Sequence, residues 1–142
     1  MQMDTNDSLL EGRGRLSSAS FGEINPITEA IIGCSYTVSN TLGCGFLEKV
    51  YENALAHELR KAGYFVQQQY GISVIYDGET VGIFDADLVV NELVIVELKT
   101  VRTLTEVHMA QCMNYLRATG ARICLLINFG NPKVEVKRII LN

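Results

Sequence analysis

The segment FDADLVVNELVIVELKT, residues 84–100, places charged side chains in two stretches that otherwise have the composition of buried β-strands. Val, Ile, Leu and Phe dominate on both sides of a short Asn-Glu turn, and this pattern predicts a β-hairpin. The charged residues are Asp85, Asp87, Glu97 and Lys99. A buried charge costs on the order of several kcal/mol unless it is paired or binds a metal ion. The hairpin is therefore either a paired structural element or a site for a cation.

The register of this hairpin decides whether the charges meet, because side chains alternate between the two faces of a strand. A two-residue turn directs the carboxylates of Asp87 and Glu97 to opposite faces. A three-residue turn over residues 91–93 brings Asp87 opposite Glu97 instead. The same turn brings Asp85 opposite Lys99. We expect the three-residue turn or an equivalent bulge, because it gathers all four charges in one place.

Two carboxylates side by side repel strongly unless a divalent cation lies between them. Mg²⁺ is a hard, oxygen-seeking ion that binds one or two carboxylates together with water and substrate phosphate. Lys99 points into the same space, where it can orient an attacking water or neutralise charge on a phosphorane-like transition state. The alternative from these residues alone is a salt-bridged hairpin, in which Lys99 pairs with Asp85 or Asp87.

The rest of the chain predicts two helices, three strands, a helix and two strands, in that order. Periodicity and capping residues predict helices over residues 26–41, 46–62 and 104–119, the first capped by Asn25 with Pro26 as its first helical residue. Strands are predicted over residues 64–76, 80–90, 93–100, 122–128 and 133–140, the fourth buried and the last at a sheet edge. Residues 1–22 are expected to be a mobile N-terminal leader, followed by a single domain over residues 23–142.

Composition narrows the class of protein. The formal net charge of −4 disfavours a protein that coats nucleic acid by bulk charge. The N-terminal residues hold no apolar segment of the signal-peptide type, and no segment is long enough to span a bilayer, so we expect a soluble cytoplasmic protein without a membrane partner. The wide spacing of the four cysteines favours reduced, buried thiols over a disulfide framework.

The segment LGCGFLEKVYENAL, residues 42–55, carries the spacing Gly45-x-x-Glu48-x-x-Tyr51. This spacing resembles the signature of the GxxExxY family, a branch of the PD-(D/E)XK nuclease superfamily. FDADLVV followed by VIVELKTV is similar to the metal-site strands of that family, and AQCMNYLRATGARICLLINFG is similar to its closing helix and strand. The resemblance covers residues 24–140.

The resemblance implies an α/β, restriction-endonuclease-like αβββαβ core with an extra N-terminal helix and a C-terminal edge strand. By position, Asp87 matches the metal-binding Asp of the superfamily. Glu97 and Lys99 match its E-x-K pair, in which the Glu binds metal and the Lys assists the attacking water. Glu48 is similar to a helical glutamate that completes the metal site in some branches, and the Leu98 backbone carbonyl is a further implied ligand.

Gln111 and Tyr115 resemble the Q-x-x-x-Y pair of exonuclease-like branches. Four residues apart, they share a helix face and are expected either to bind substrate or to brace the site. Ala86 is a departure, because it stands where the superfamily name has Pro. Tyr51 is expected to be a core aromatic with a hydrogen-bonded hydroxyl rather than a catalytic acid.

With this resemblance, the sequence predicts a metal-dependent nuclease that hydrolyses phosphodiester bonds in nucleic acid, with DNA favoured over RNA. Mg²⁺ is the expected cofactor, and Mn²⁺ is expected to substitute for it. So small a domain covers little duplex, which is compatible with a homodimer or a partner subunit. Two alternatives stay open: a catalytically silent nuclease-fold protein that binds nucleic acid or a protein partner, and a structural or assembly protein with a salt-bridged hairpin.

Overall fold

The structure, a computed structural model, describes residue 16 and residues 19–141. In chain order its elements are α1 (Phe21–Leu42), α2 (Glu48–Lys61), β1 (Val66–Tyr76), β2 (Glu79–Val90), β3 (Val94–Lys99), α3 (Glu106–Thr119), β4 (Ile123–Asn128) and β5 (Glu135–Ile140). The predicted order of helices and strands is confirmed. It is an αβββαβ core with a leading helix and a final strand.

The five strands form one sheet in the order β1-β2-β3-β4-β5. Only β3 and β4 are parallel neighbours, because α3 carries the chain from the end of one to the start of the other. Apolar residues of α1 and α2 pack on one face of the sheet, and those of α3 pack on the other. The strand β4 is buried along its whole length and β5 lies at the sheet edge, as the sequence predicts.

The start of α1 differs from the prediction that Asn25 caps it. Ser20 is the N-cap: its hydroxyl accepts from the Glu23 amide at 3.3 Å, and its own amide donates to the Glu23 carboxylate at 3.2 Å. This capping box stabilises a helix start upstream of Asn25. Pro26 then lies inside the helix, where the capping box and buried neighbours such as Ile24 offset the lost amide.

Several other expectations concern the chain as a whole. Most of the predicted leader lies outside the described residues, and helix α1 begins at Phe21. None of the described helices is long and apolar enough to cross a membrane. All four cysteines are free, but only Cys112 and Cys124 are buried; Cys34 is half-buried and Cys44 is exposed, so burial was predicted wrongly for these two.

Gly130 packs against the segment that follows β3, which makes it the least replaceable glycine near the sheet. A Cβ at Gly130 would lie 2.6 Å from the Val101 nitrogen and 2.8 Å from the Thr100 carbonyl carbon. Gly130→Ala is therefore expected to lower the free energy of unfolding by about 1–3 kcal/mol, because backbone has to move.

Urea denaturation of both this variant and Gly33→Ala checks the prediction. Gly33 lies in α1, and a Cβ added there would have nothing within 4 Å, so alanine is expected to stabilise the helix by about 0.5–1 kcal/mol. Opposite signs for the two variants support the close packing of Gly130. An equal effect of both substitutions would contradict it.

Candidate active site

The hairpin of β2 and β3, called the acidic hairpin below, contains Asp87 and Glu97. Counted from its turn, the backbone pairing of the two strands ends just before Asp87. Backbone pairing between β2 and β3 runs from Val90 opposite Val94 to Leu88 opposite Val96 and includes no later pair. A pair of residues 90 and 94 leaves three residues in the turn. The three-residue turn expected from the sequence is therefore confirmed.

Where this backbone pairing ends, side-chain carboxylates accept the hydrogen bonds that backbone carbonyls accept in a regular pair of strands. The Leu98 amide donates to Asp87 Oδ2 at 2.8 Å, and the Asp87 amide donates to Glu97 Oε1 at 3.3 Å. Each of these buried amides thus keeps a hydrogen-bond acceptor. The predicted contact between Asp87 and Glu97 is confirmed, and the strands hold it in place.

Asp85 and Lys99 do not form the predicted pair. Asp85 is exposed and lies opposite Gly71 of β1, whereas Lys99 lies opposite Asn128 of β4. No ion pair within residues 16 and 19–141 involves Lys99. The salt-bridged hairpin is therefore wrong as an account of these charges, because the strands diverge before Asp85 reaches Lys99.

Both central carboxyl groups are destabilised in their ionised form. Asp87 is 9% exposed and Glu97 is 5% exposed. Burial, and after it the charge of Asp87, raise the pKa of Glu97 to about 8. Burial also raises the pKa of Asp87, against the opposing effect of hydrogen bonds from Leu98 and Gln69. Two adjacent acids of this kind need a cation to be ionised together.

Gln69 joins Asp87 to a second buried carboxylate, Glu52, which sequence reasoning missed. The Gln69 side-chain amide donates to Asp87 Oδ1 at 3.3 Å and to Glu52 Oε1 at 2.8 Å. Glu52 is 2% exposed and also accepts from Gln68 and from Lys49. Gln69 has a left-handed φ of 52°, which a non-glycine residue adopts only where its surroundings hold it. Here the two carboxylates hold it.

Glu48 is the first residue of α2 and lies at the rim of the site. It is half-buried; burial and then the charge of Asp87 raise its pKa, and Lys99 opposes that shift. The Glu48 carboxylate is therefore near enough to Asp87 and Lys99 for their charges to affect its pKa. Glu52 follows one helical turn later, and this spacing of four was the signal in the sequence that could have found it.

Tyr51 braces the loop that precedes Glu48. Its side chain is fully buried and its ring stacks on Phe129, with 4.7 Å between centroids. The Tyr51 hydroxyl donates to the Gly43 carbonyl at 2.6 Å and accepts from the Phe46 amide at 3.2 Å. The expectation of a core aromatic with a hydrogen-bonded hydroxyl is confirmed.

Tyr51→Phe is expected to lower the free energy of unfolding by about 1–2 kcal/mol, because it removes two hydrogen bonds and leaves part-buried loop groups without their partner. Urea denaturation measures this change. Tyr36→Phe is the matched control, since Tyr36 lies on α1 with 43% of its surface exposed. Equal changes in the free energy of unfolding for the two variants would show that the Tyr51 hydroxyl does not stabilise the loop before Glu48.

Gln111 and Tyr115 lie with Lys99 around one cavity of about 440 Å³. Its lining residues are Phe84, Lys99, Val107, His108, Ala110, Gln111, Asn114 and Tyr115. Burial and then the charges of the nearby carboxylates raise the pKa of the Tyr115 hydroxyl, which keeps its proton. His108 has a local role, because its Nδ1 accepts from the Thr105 amide at 3.0 Å and caps α3.

Asn128 fixes the chain where it leaves β3 after Lys99. Its buried side chain accepts from the amides of Val101 and Gly130 at 3.0 and 2.9 Å, and donates to the Val101 carbonyl at 2.8 Å. The Phe129 amide donates to the Lys99 carbonyl at 2.8 Å. Sequence reasoning missed Asn128, although a polar residue at the end of an apolar strand was a signal.

The donor chemistry of the site fits a hard divalent cation. Asp87 and Glu97 are in contact and buried, and Glu48 adds a third carboxylate nearby. The predicted ligands, which also include the Leu98 carbonyl, do not form a closed cage of side chains around a metal position. Within the described residues, no three His, Cys, Asp or Glu side chains lie close enough together to hold a metal ion by themselves. Mg²⁺ does not need such a cage, because it retains waters and binds substrate phosphate.

The sequence of residues 25–139 matches the model of a family described as the PD-(D/E)XK nuclease superfamily. The chain belongs to this superfamily. The match includes the β2–β3 hairpin, α3, β4 and β5 as far as residue 139, so the superfamily predicted from the resemblance is confirmed. The restriction-endonuclease-like fold is confirmed with it, since the order of elements is that of the superfamily core.

Two solved structures resemble this superfamily member in fold. An alkaline exonuclease (LHK-Exo) from Laribacter hongkongensis is 16% identical, with 66% of this chain and 56% of that chain covered and a TM-score of 0.48. The protein SSO0001 is 19% identical, with 83% of this chain and 61% of that chain covered and a TM-score of 0.49. The chain thus spans less than two thirds of either protein. None of the curated proteins compared with the chain matches it.

Proposed function

We propose that this superfamily member is a metal-dependent nuclease that hydrolyses phosphodiester bonds in nucleic acid, with DNA preferred to RNA. The observation that carries the proposal is the buried hydrogen bond from the Asp87 amide to the Glu97 carboxylate. It joins two residues whose buried carboxyl groups have no ion-pair partner among the described residues. The spacing around Glu48 supports placement in the GxxExxY branch. We also propose a cytoplasmic location.

Asp87 and Glu97 would hold Mg²⁺, with Glu48 and the Leu98 carbonyl as further ligands; Mn²⁺ would substitute. When bound, such an ion lowers the pKa of a water and offsets the charge of the phosphate. The protein supplies orientation: the Leu98 amide fixes Asp87 Oδ2, and the Gln69 side chain fixes Asp87 Oδ1. A carboxylate held at both oxygens loses little freedom when it takes up its ligand.

Lys99 lies at the boundary between the carboxylates and the cavity beside α3. From there its ammonium group would donate to the attacking water and stabilise negative charge on the phosphate. Tyr115 keeps its proton, so its hydroxyl would donate a hydrogen bond to a phosphate oxygen. Gln111, on the same wall, would position the nucleic acid.

A panel of substrates tests this function. Purified protein is incubated with supercoiled, linear and single-stranded DNA and with RNA, each in Mg²⁺, Mn²⁺ or EDTA. We expect cleavage in either metal, none in EDTA, and recovery when excess Mg²⁺ is added back. Faster cleavage of DNA than of RNA of the same sequence is expected.

Nucleic-acid binding without cleavage of any substrate in either metal would contradict the proposal. That outcome would instead support the catalytically silent nuclease-fold protein. A homodimer or a partner subunit is tested separately, by measuring the molar mass of the protein in solution before the assay.

A further inference from the structure

A channel continues from the candidate active site along α3. The cavity beside Lys99 and a second cavity of about 440 Å³ share Phe84 and Asn114 in their linings. The second cavity is lined by Ser73, Val74, Ile75, Phe84, Asn114, Arg117 and Ala118. The two together run between α3 and the β1–β2 hairpin, from Lys99 to Arg117.

We propose that this channel binds a single strand of nucleic acid, and that Phe84 is the platform on which one unstacked base stacks. The inference rests on the proposed function, because it assigns the strandedness of the substrate that reaches the same site. It gives a role to Phe84 and Asn114, which line the cavity beside Lys99, and to Arg117, which lies farther along α3.

The exposure and support of Phe84 are the first observation. Phe84 is 42% exposed, although it stands on a strand beside the buried Ala86. Its ring is in tilted contact with Tyr115, with 5.7 Å between centroids and an interplanar angle of 51°, so the ring is supported while much of its surface stays accessible. Exposed aromatic rings stack on bases of any sequence. A base in a duplex has both faces covered by its neighbours, so a free base requires a single strand.

The charge of the channel is the second observation. Among the described residues that line the two cavities are the cations Lys99 and Arg117, but no Asp or Glu. The chain as a whole carries 16 acidic and 12 basic residues. A lining free of carboxylates in an acidic protein is complementary to phosphate, and the amides of Gln111 and Asn114 add neutral hydrogen-bonding groups.

The depth of the carboxylates is the third observation. Asp87 and Glu97 are 9% and 5% exposed, so a phosphate has to approach closely beside Lys99, which lines the channel, to reach them. A single strand can bend its backbone inward. A duplex holds its phosphates on the outside of a stiff cylinder, and the exposed ring of Phe84 would obstruct its approach.

Fluorescence anisotropy tests this proposal with a labelled oligothymidylate and a blunt duplex of the same length, in EDTA at low salt, where no metal supports cleavage. We expect the wild-type protein to bind the single strand about tenfold more tightly than the duplex. Phe84→Leu, which keeps an apolar side chain but loses the ring, is expected to weaken single-strand binding about tenfold. Phe84→Tyr is expected to retain it.

Ile83→Ala is the matched control, since Ile83 is exposed on the same strand and points to the opposite face. It is expected to bind like the wild type. Arg117→Gln is expected to weaken binding of all sequences alike and to reduce the slope of log affinity against log salt by about one.

Failure of the inference is distinguishable from failure of the proposed function. Equal binding of single strand and duplex, no single-strand binding, or an equal loss in Phe84→Leu and Ile83→Ala would each overturn the channel. Strand-selective binding that depends on Phe84, without cleavage in Mg²⁺, would keep the channel and overturn the nuclease. If the protein cleaves duplex in Mg²⁺ and Phe84→Leu cleaves it at the same rate, the nuclease function is supported and the channel is overturned.

Discussion

Asp87→Asn is expected to lower metal-dependent cleavage by about 10³-fold, without unfolding the protein. Asparagine has the shape of aspartate, and its carbonyl oxygen can still accept from the Leu98 amide that donates to Asp87 Oδ2 at 2.8 Å. What the variant lacks is the negative charge that, beside Glu97, would hold a divalent cation. The loss should therefore appear in catalysis and metal binding rather than in the fold.

Two measurements check this prediction: the single-turnover cleavage rate, and the rise in melting temperature on addition of Mn²⁺. A ligand that binds only the folded state must stabilise it, so the wild type is expected to show a rise and Asp87→Asn none. Asp85→Asn is the matched control, because Asp85 lies two residues away on β2 but is exposed opposite Gly71. If the two variants behave alike, the site has been placed wrongly.

The metal-free protein is expected to lose stability as the pH rises from about 5 to above 8, and Glu97 is expected to be the main cause. The pKa of Glu97 is raised from 4.5 to about 8 in the folded state. Between these values the folded state binds a proton that the unfolded state has lost, so stability falls with rising pH. At about 1.4 kcal/mol per pKa unit, the total loss is on the order of 4 kcal/mol and is complete above the folded pKa.

Urea denaturation in EDTA at the two ends of this pH range measures the effect. Glu97→Gln is expected to remove most of the pH dependence, because glutamine cannot ionise, whereas Glu79→Gln changes an exposed residue of β2 and should keep it. Mn²⁺ at the higher pH is expected to restore the wild type and to leave Glu97→Gln unchanged. If the free energy of unfolding of the wild type does not change over this pH range, the raised pKa of the buried Glu97 is contradicted.

The acidic hairpin could be predicted from the sequence because its signals are local. Strand alternation and turn length determine whether Asp87 meets Glu97, and the structure has the expected three-residue turn. The turn is made by Asn91 and Glu92 with φ of 53° and 58°, a conformation that asparagine adopts more readily than most residues. The prediction that Asp85 lies opposite Lys99 was wrong, because the position at which two paired strands separate depends on the rest of the sheet.

The support of the site could not be predicted, because it depends on contacts between distant elements. Glu52 on α2 and Asp87 on β2 meet through Gln69 of β1, and nothing near Gln69 in the sequence indicates its left-handed backbone. Asn128 likewise acts on Val101, 27 residues earlier in the chain. Such contacts become visible only when the sheet order is known.

The most direct test of the central claim is the single-turnover cleavage rate of Lys99→Ala in Mg²⁺, measured with its Mn²⁺-dependent rise in melting temperature. Lys61→Ala is the control, since Lys61 is a surface residue paired with Glu58 at the far end of α2. The proposed mechanism predicts that Lys99→Ala cleaves about 10²–10³-fold more slowly yet keeps the metal-dependent stabilisation, and that Lys61→Ala resembles the wild type. Equal cleavage rates for Lys99→Ala and Lys61→Ala would contradict it.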